Sequence, residues 1–308
     1  MAILFVSAID DPVAWRRELA RRLPDLDFRV WPEVGDPADI EVALVWRPPP
    51  GLLAGLPNLR LIQALSAGIE ALLADPTLPD VPLCRMVDES LTVTMREFVA
   101  ATVLFFHRGL DRYARRQRQV RWRLEPPRPA AATRVGIMGL GVLGGDVART
   151  LAGLGFRVRG WSRRGKTIPG VETFAGPDAL ADFAAAVDVL VCLLPLTPAT
   201  EGILDSRLFA ALPRGAVVIN VGRGRHLVER DLLDALDRGH LRAAWLDVFA
   251  EEPLPDDHPF WRHPRIHVTP HAAAWTHPET AAEVVVENLR RLRAGEPLRH
   301  RVDRARGY

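Results

Sequence analysis

The sequence predicts an α/β fold made of two doubly wound parallel-sheet domains, and three observations carry that reading. A length of 308 residues exceeds one ordinary domain and suits two. Short apolar runs of strand composition alternate with amphipathic helical segments through both halves of the chain. A cluster at Pro126, Pro127 and Pro129 divides the halves, because proline removes amide donors and pushes its predecessor away from helical geometry.

In the first half, strand-like runs fall at residues 3–8, 28–31, 42–46 and 59–65, with an amphipathic helix over 12–23. Residues 92–119 are nearly free of glycine and proline and set Val99, Val103, Phe106 and Leu110 at helical spacing, so they read as a pair of linker helices broken at Gly109. Beyond the prolines come six strands, at 134–138, 157–161, 189–193, 216–221, 243–248 and 266–269, separated by helices. The amphipathic segment 279–293 lies past that sheet and is expected to return over the first domain. The division is therefore 1–98 plus 275–308 against 99–274, the linker helices at about 99–123 going with the second domain.

Composition narrows the function. With 48% hydrophobic and 25% charged residues the chain is an ordinary globular one, neither disordered nor a disulfide scaffold. The longest apolar stretch, 98–106, is too short to cross a bilayer, and the start runs into strand sequence without a basic leader, so no membrane partner and a cytoplasmic location are expected. Cys84 and Cys192 stand too far apart for a framework or a metal spacing and read as inert core thiols. No metal is expected, since His107, His226, His240, His258, His263, His267, His277 and His300 are scattered and read as structural or solvated. Forty basic residues against 38 acidic ones leave a net charge of +2 and no footprint for nucleic acid. Lys166 is the one lysine; the arginines at 112, 115, 116, 118, 121 and 123 read as a solvated or subunit-contacting face.

The strand at 134–138 runs into Gly139-Leu140-Gly141-Val142-Leu143-Gly144, which opens a helical pattern. Glycines there permit a tight turn, approach of a pyrophosphate to backbone, and close helix-strand packing, while the helix N-terminus offers amides and a positive dipole end. The turn is thus a dinucleotide site. At the end of the next strand an NAD site carries a carboxylate for the ribose hydroxyls. Here Ser162 holds that place, 18 residues after Gly144, and Arg163 and Arg164 follow. Either these arginines pair with a 2′-phosphate or they are incidental in an arginine-rich chain; the missing acid favours NADP(H), with NAD(H) possible.

Three polar residues follow later strands, where an open α/β sheet places its crevice: Arg223, Glu252 and His271, spaced by 29 and 19 residues. With the glycine turn, the Leu193-Leu194-Pro195-Leu196-Thr197 turn, Asn220 to Gly224, Asp247 to Leu254 and Thr269 to Ala272, the sequence resembles the D-isomer-specific 2-hydroxyacid dehydrogenase family along nearly its whole length. Val45-Trp46-Arg47-Pro48-Pro49 and the stretch from Gly222 to Glu229 are similar to its bacterial glyoxylate/hydroxypyruvate reductase A branch. The resemblance implies a flavodoxin-like substrate domain, a Rossmann dinucleotide domain and a homodimer contacting through 92–123. It implies a small 2-oxo acid as substrate, foremost glyoxylate and hydroxypyruvate. It also implies that Leu194, Pro195, Thr200, Val221 and Gly222 join the glycine turn in binding the dinucleotide.

In that reading His271 donates the proton, since imidazole titrates near neutral pH; Glu252 orients it and stabilises its protonated form; and Arg223 binds the carboxylate and keto oxygens. The family further implies backbone contacts to the substrate carboxylate from Ser66, Ala67 and Gly68. Arg47 is either a second carboxylate clamp or a solvated loop residue, Trp46 either shapes the pocket or is core, and Asp247 either supports the nicotinamide ribose or ends its strand. Two alternatives stay open: another 2-oxo acid of the pyruvate or phenylpyruvate type, and a non-enzymatic dinucleotide sensor. A sensor has no chemical use for the full trio.

Overall fold

The structure is a computed structural model that describes residues 2–307. In chain order the first part holds β1 (Ala2–Val6), α1 (Pro12–Ala20), β2 (Asp27–Val30), β3 (Ile40–Val45), β4 (Leu61–Ala64), α2 (Glu70–Leu73) and β5 (Leu83–Cys84). Then follow α3 (Glu89–His107), α4 (Leu110–Arg118), β6 (Arg134–Met138), α5 (Val142–Gly153), β7 (Arg157–Ser162), β8 (Val171–Ala175), α6 (Leu180–Ala184) and β9 (Val189–Cys192). The chain closes with α7 (Ser206–Ala211), β10 (Ala216–Asn220), α8 (Glu229–Asp237), β11 (Leu241–Leu246), β12 (Ile266–Val268) and α9 (Pro278–Ala294). Two compact units result: residues up to Leu91 with those from Trp275 on, and Thr92–Ala274.

The first unit is a five-stranded parallel sheet in the order β2-β1-β3-β4-β5, the flavodoxin-like winding. Strand β1, paired on both sides, shows why the sequence reads as an unbroken apolar run. Every residue of β1 is buried, Ile3 and Phe5 facing one hydrophobic layer and Ala2, Leu4 and Val6 the other. Trp15 and Leu19 of α1 and Ala281, Ala282, Val285, Val286 and Leu289 of α9 fill the first layer, so the last helix does cover the first unit. Helix α1 starts on Asp11, whose carboxylate accepts from Val13 N at 2.9 Å, with Pro12 behind it; α9 starts on Pro278 and stops at Gly295, φ 70°. Buried Asn288 of α9 donates to Gln63 Oε1 of β4 at 2.9 Å and accepts from Arg299 N at 2.8 Å, which fixes the register of the helix on the sheet.

The second unit is a parallel sheet of seven strands, not the expected six, in the order β12-β11-β10-β9-β6-β7-β8, a Rossmann sheet with one strand added beyond β11. The strand absent from the sequence reading is β8, whose Val-Glu-Thr-Phe-Ala run lies at the sheet edge and is only partly buried, so its apolar signal is weak. Buried β5, only two residues long, is too short to carry a strand pattern. Met95, Val99, Val103 and Phe106 of α3 pack with Val135, Ile137 and Val217 of this unit. That packing moves the division to Leu91/Thr92, earlier than the end at residue 98 read from sequence. Gly109, at φ 66°, separates α3 from α4, and Asp111 of α4 pairs with Arg242 of β11 at 2.8 Å. In the arginine-rich stretch Arg112 and Arg116 turn onto Glu125 and lower its carboxyl below the usual range, whereas Trp122, Val120 and Leu124 lie open to solvent. Among the described residues no helix is long and apolar enough to cross a membrane, and no three His, Cys, Asp or Glu side chains are grouped to hold a metal.

Both cysteines are buried and free. Burial pushes the Cys84 thiol up to about 11 and Cys192 up to about 12, so at pH 8 thiolate is scarcer than at an ordinary cysteine. The folded protein is expected to release no chromophore from an aromatic disulfide reagent at pH 8, and to react at both thiols once unfolded in guanidinium; rapid reaction without denaturant would contradict the burial described.

Candidate active site

Strand β6 ends at Met138, and Gly139 turns the chain at φ 98° with its amide donating to Trp161 O at 2.8 Å. A Cβ on Gly139 would lie 2.7 Å from Leu193 O, and one on Gly144 only 1.8 Å from Gly139 O, so the fold itself demands both glycines. Gly141 is different: it caps α5, and a Cβ there would meet nothing within 4 Å. No protein atom requires a glycine at this place, which leaves open space at the N-terminus of a twelve-residue helix. First-turn amides, those of Val142 and Leu143 included, have no intrahelical partner, and space before them suits an anion brought close to backbone. The residues present therefore fit a dinucleotide pyrophosphate.

At the end of β7 no carboxylate occupies positions 162–166. Ser162 Oγ donates to Arg164 O at 2.7 Å and folds the chain back, with Arg163 and Arg164 exposed beyond it. Lys166 Nζ donates to Leu140 O at 2.5 Å, which brings a third cation against the glycine turn. In the sequence Lys166 stands out only as the one lysine.

Leu194 and Pro195 follow β9, and Thr200 Oγ1 closes that turn by donating to Pro195 O at 2.7 Å. Val221 and Gly222 follow β10, next in the sheet, and lead into Arg223, which is half-buried and whose Nη1 donates to Gly222 O at 2.6 Å. Buried Asn220 accepts from Gly222 N at 3.2 Å and donates to Arg223 O at 3.0 Å. A Cβ on Gly224 would fall 1.8 Å from the carbonyl carbon of Phe249, so the Arg223 loop lies directly on the loop that carries Glu252. Glu252 Oε1 in turn accepts from Phe249 N at 3.1 Å.

His271 Nδ1 meets both oxygens of Glu252, at 2.9 and 3.1 Å. A carboxylate opposite Nδ1 fixes the ring with Nδ1 protonated and turns Nε2 outward. The imidazole is 40% exposed and the carboxylate 18%. His271 sits at φ 55°, left-handed backbone that a non-glycine residue holds only when its surroundings impose it. The imposing group is Asp247, fully buried beyond β11. Its carboxylate accepts from Thr269 Oγ1 at 2.6 Å, Ala272 N at 2.9 Å and Ala273 N at 2.9 Å, and its carbonyl accepts from His271 N at 2.8 Å. Burial raises the Asp247 carboxyl above its ordinary value against the opposing pull of these bonds. Trp245 Nε1 donates to Thr269 Oγ1 at 3.0 Å, carrying the chain of contacts back into the core.

Trp46, Arg47, Ser66, Ala67 and Gly68 belong to the first unit. Arg47 is exposed at φ 43°, its guanidinium 5.0 Å above the Trp46 ring, and Trp46 packs on the layer of Ile3 and Phe5. Ser66 Oγ donates to Gly68 O at 2.7 Å in a turn directly after β4, while Ser66 O accepts from Met86 N.

Residues 100–273 match the model of the D-isomer specific 2-hydroxyacid dehydrogenase, NAD binding domain. The chain belongs to the D-isomer specific 2-hydroxyacid dehydrogenase family. Within it, glyoxylate/hydroxypyruvate reductase A of Yersinia enterocolitica is 45% identical over 100% of both chains. A family member from Xanthobacter autotrophicus, solved with NADPH and MES, superposes with a TM-score of 0.97 at 45% identity, covering 100% of this chain and 99% of the other. The NADPH-dependent glyoxylate/hydroxypyruvate reductase of Sinorhizobium meliloti, solved with NADP and sulfate, gives 0.94 at 39% identity over 100% of both. Family membership makes this an NAD(P)-dependent oxidoreductase.

Gly144→Ala is expected to cost about 3 kcal/mol and lower the melting temperature by roughly 5–10 °C, because the new methyl meets backbone. Gly141→Ala is expected to melt like the parent while weakening dinucleotide binding in a fluorescence titration. Equal melting of the two variants would contradict the spaces described.

Proposed function

We propose that this chain reduces small 2-oxo acids with NADPH, glyoxylate to glycolate and hydroxypyruvate to D-glycerate. The observation that carries the reading is the Glu252–His271 pair, His271 held in left-handed backbone and Glu252 on the loop packed against that of Arg223, in the unit that bears the glycine turn. Reduction adds a hydride to the carbonyl carbon and a proton to its oxygen. The reduced nicotinamide, when bound, supplies the hydride. His271 gives the proton from Nε2 while Glu252 holds Nδ1–H and stabilises the imidazolium from which the proton leaves. Arg223 offers planar donors to the carboxylate and keto oxygens and stabilises charge growing on the latter. We assign the substrate's remaining contacts to Arg47, Trp46 and the amides of Ser66, Ala67 and Gly68.

For the dinucleotide, the amides opening α5 and the turn of Gly139, Gly141, Val142, Leu143 and Gly144 take the pyrophosphate. Ser162, Arg163 and Arg164, joined by Lys166, take the 2′-phosphate. Leu194, Pro195, Thr200, Val221 and Gly222 serve the nicotinamide end. Three cations and no carboxylate after β7 support NADP(H) over NAD(H), and the relatives solved with NADPH or NADP support it independently. Homodimerisation belongs to the same reading, supported by Val120 and Trp122, 94% and 103% exposed beside α4. A cytoplasmic location is supported by two free thiols, and a small-molecule partner in place of nucleic acid by the near balance of charge.

Purified protein is expected to oxidise NADPH on adding glyoxylate or hydroxypyruvate, followed by nicotinamide absorbance. His271→Ala is expected to lower kcat by about 10²–10⁴-fold with dinucleotide affinity kept. Ser162→Asp is expected to shift preference toward NADH. Turnover only of a bulkier oxo acid would leave the mechanism and remove the substrate assignment, and tight NADPH binding with no turnover of any oxo acid would remove the enzymatic reading.

A further inference from the structure

We propose that His226 is a positioning residue, a buried ring that holds Arg223 and the turn at Pro195 in one frame. The inference rests on the reading of Arg223 and Pro195 given above. From sequence His226 counted among structural or solvated histidines; in the fold its side chain is fully enclosed. An enclosed imidazole needs both nitrogens matched. Nδ1 lies 3.0 Å from Arg223 N, and a backbone amide can only donate, so Nδ1 holds a lone pair. Nε2 then carries the proton, and it faces Pro195 O at 3.3 Å, which can only accept. The two contacts select the same tautomer independently. They also lie on two adjacent strand ends, one leading into the arginine and the other carrying the turn.

The room for the ring is built as well. A Cβ on Gly222 would sit 3.0 Å from His226 Nδ1 and 3.2 Å from Leu194 O, so the glycine lets the imidazole reach across. Arg223 is held through both backbone groups, its amide by His226 Nδ1 and its carbonyl by Asn220 Nδ2 and His226 N. Its guanidinium leans back on Gly222 O, so turning the Arg223 peptide turns the donor fork with it. At Pro195 the carbonyl that receives Nε2–H also receives Thr200 Oγ1, so the ring braces a turn already closed on itself. A leucine would fill the same space and hold neither strand end.

Two conservative replacements separate the halves of the device, because an asparagine oxygen reaches where Nδ1 stands and a glutamine amide where Nε2 stands. The measurements are kcat and KM for glyoxylate at saturating NADPH, the NADPH Kd by fluorescence without oxo acid, melting temperature, and imidazole ¹⁵N chemical shifts. His226→Leu is expected to stay folded, to lose about 10² in kcat/KM through a misplaced Arg223, and to weaken NADPH several-fold. His226→Asn is expected to recover most of kcat/KM without recovering the Kd, and His226→Gln the reverse. The ¹⁵N shifts are expected to report Nε2–H with Nδ1 unprotonated. A folded His226→Leu with parental kcat/KM and Kd overturns the proposal, as does an Asn and Gln pair indistinguishable from Leu, or an Nδ1–H tautomer. Should the parent protein turn over no oxo acid, the reaction assigned to the site fails and takes the arginine half of the proposal with it. The NADPH Kd and the tautomer still decide the half at Pro195.

Discussion

One buried carboxylate sets the terms for the chemistry. Asp247 gathers a hydroxyl and two backbone amides on its oxygens and offers its own carbonyl to His271 N, so the loop after β12 has a single arrangement open to it. That arrangement puts a non-glycine residue in left-handed backbone, at a cost of about 1–3 kcal/mol that the bonds to Asp247 offset. The result is an imidazole aimed by its main chain before its side chain finds a partner. Glu252 then fixes the rotation of the ring and the place of its proton. Without the carboxylate beneath it, the Glu252–His271 pair would be an exposed contact on a mobile loop, worth little.

The glycines after β6 and β10 work by a different principle, as empty space with an address. At Gly144 and Gly224 the space is occupied by the protein's own backbone: Gly144 lets the helix start close onto Gly139 within one turn, and Gly224 lets its loop lie on Phe249, far along the sequence. At Gly141 the space is left for something else. Motif spacing alone does not distinguish these roles, since each reads simply as glycine; the atoms around each position do.

Much of this was legible in the sequence, and the exceptions share causes. Strands whose residues are all apolar, such as β1 and β9, stand out because both faces of the sheet are covered. Edge strand β8 does not, because its half-exposed faces tolerate glutamate and threonine. Arg223, Glu252 and His271 stand out as candidates because polar residues in the loops after buried strands have few structural reasons to be there, and the structure pairs the last two. Asp247 stood in the same pattern, yet its role depends on amides more than twenty positions away that only the folded chain assembles. Lys166 and His226 contact main-chain atoms, a partner class that carries no side-chain signature to recognise. The compact units divide at Leu91/Thr92 and not at 98/99, because the apolar face of α3 announces burial without naming the sheet it is buried against.

The first unit's hydrophobic layer is completed by α9, from the far end of the chain. During synthesis, the sheet of β1 to β5 therefore leaves the ribosome with one face covered only in part, by α1, and stays so while the whole Thr92–Ala274 segment is translated. The nucleotide-handling half has all of its strands before α9 is made; the other half must wait for α9 itself. Its greasy face is the stretch of this protein with most to gain from a chaperone at the exit tunnel.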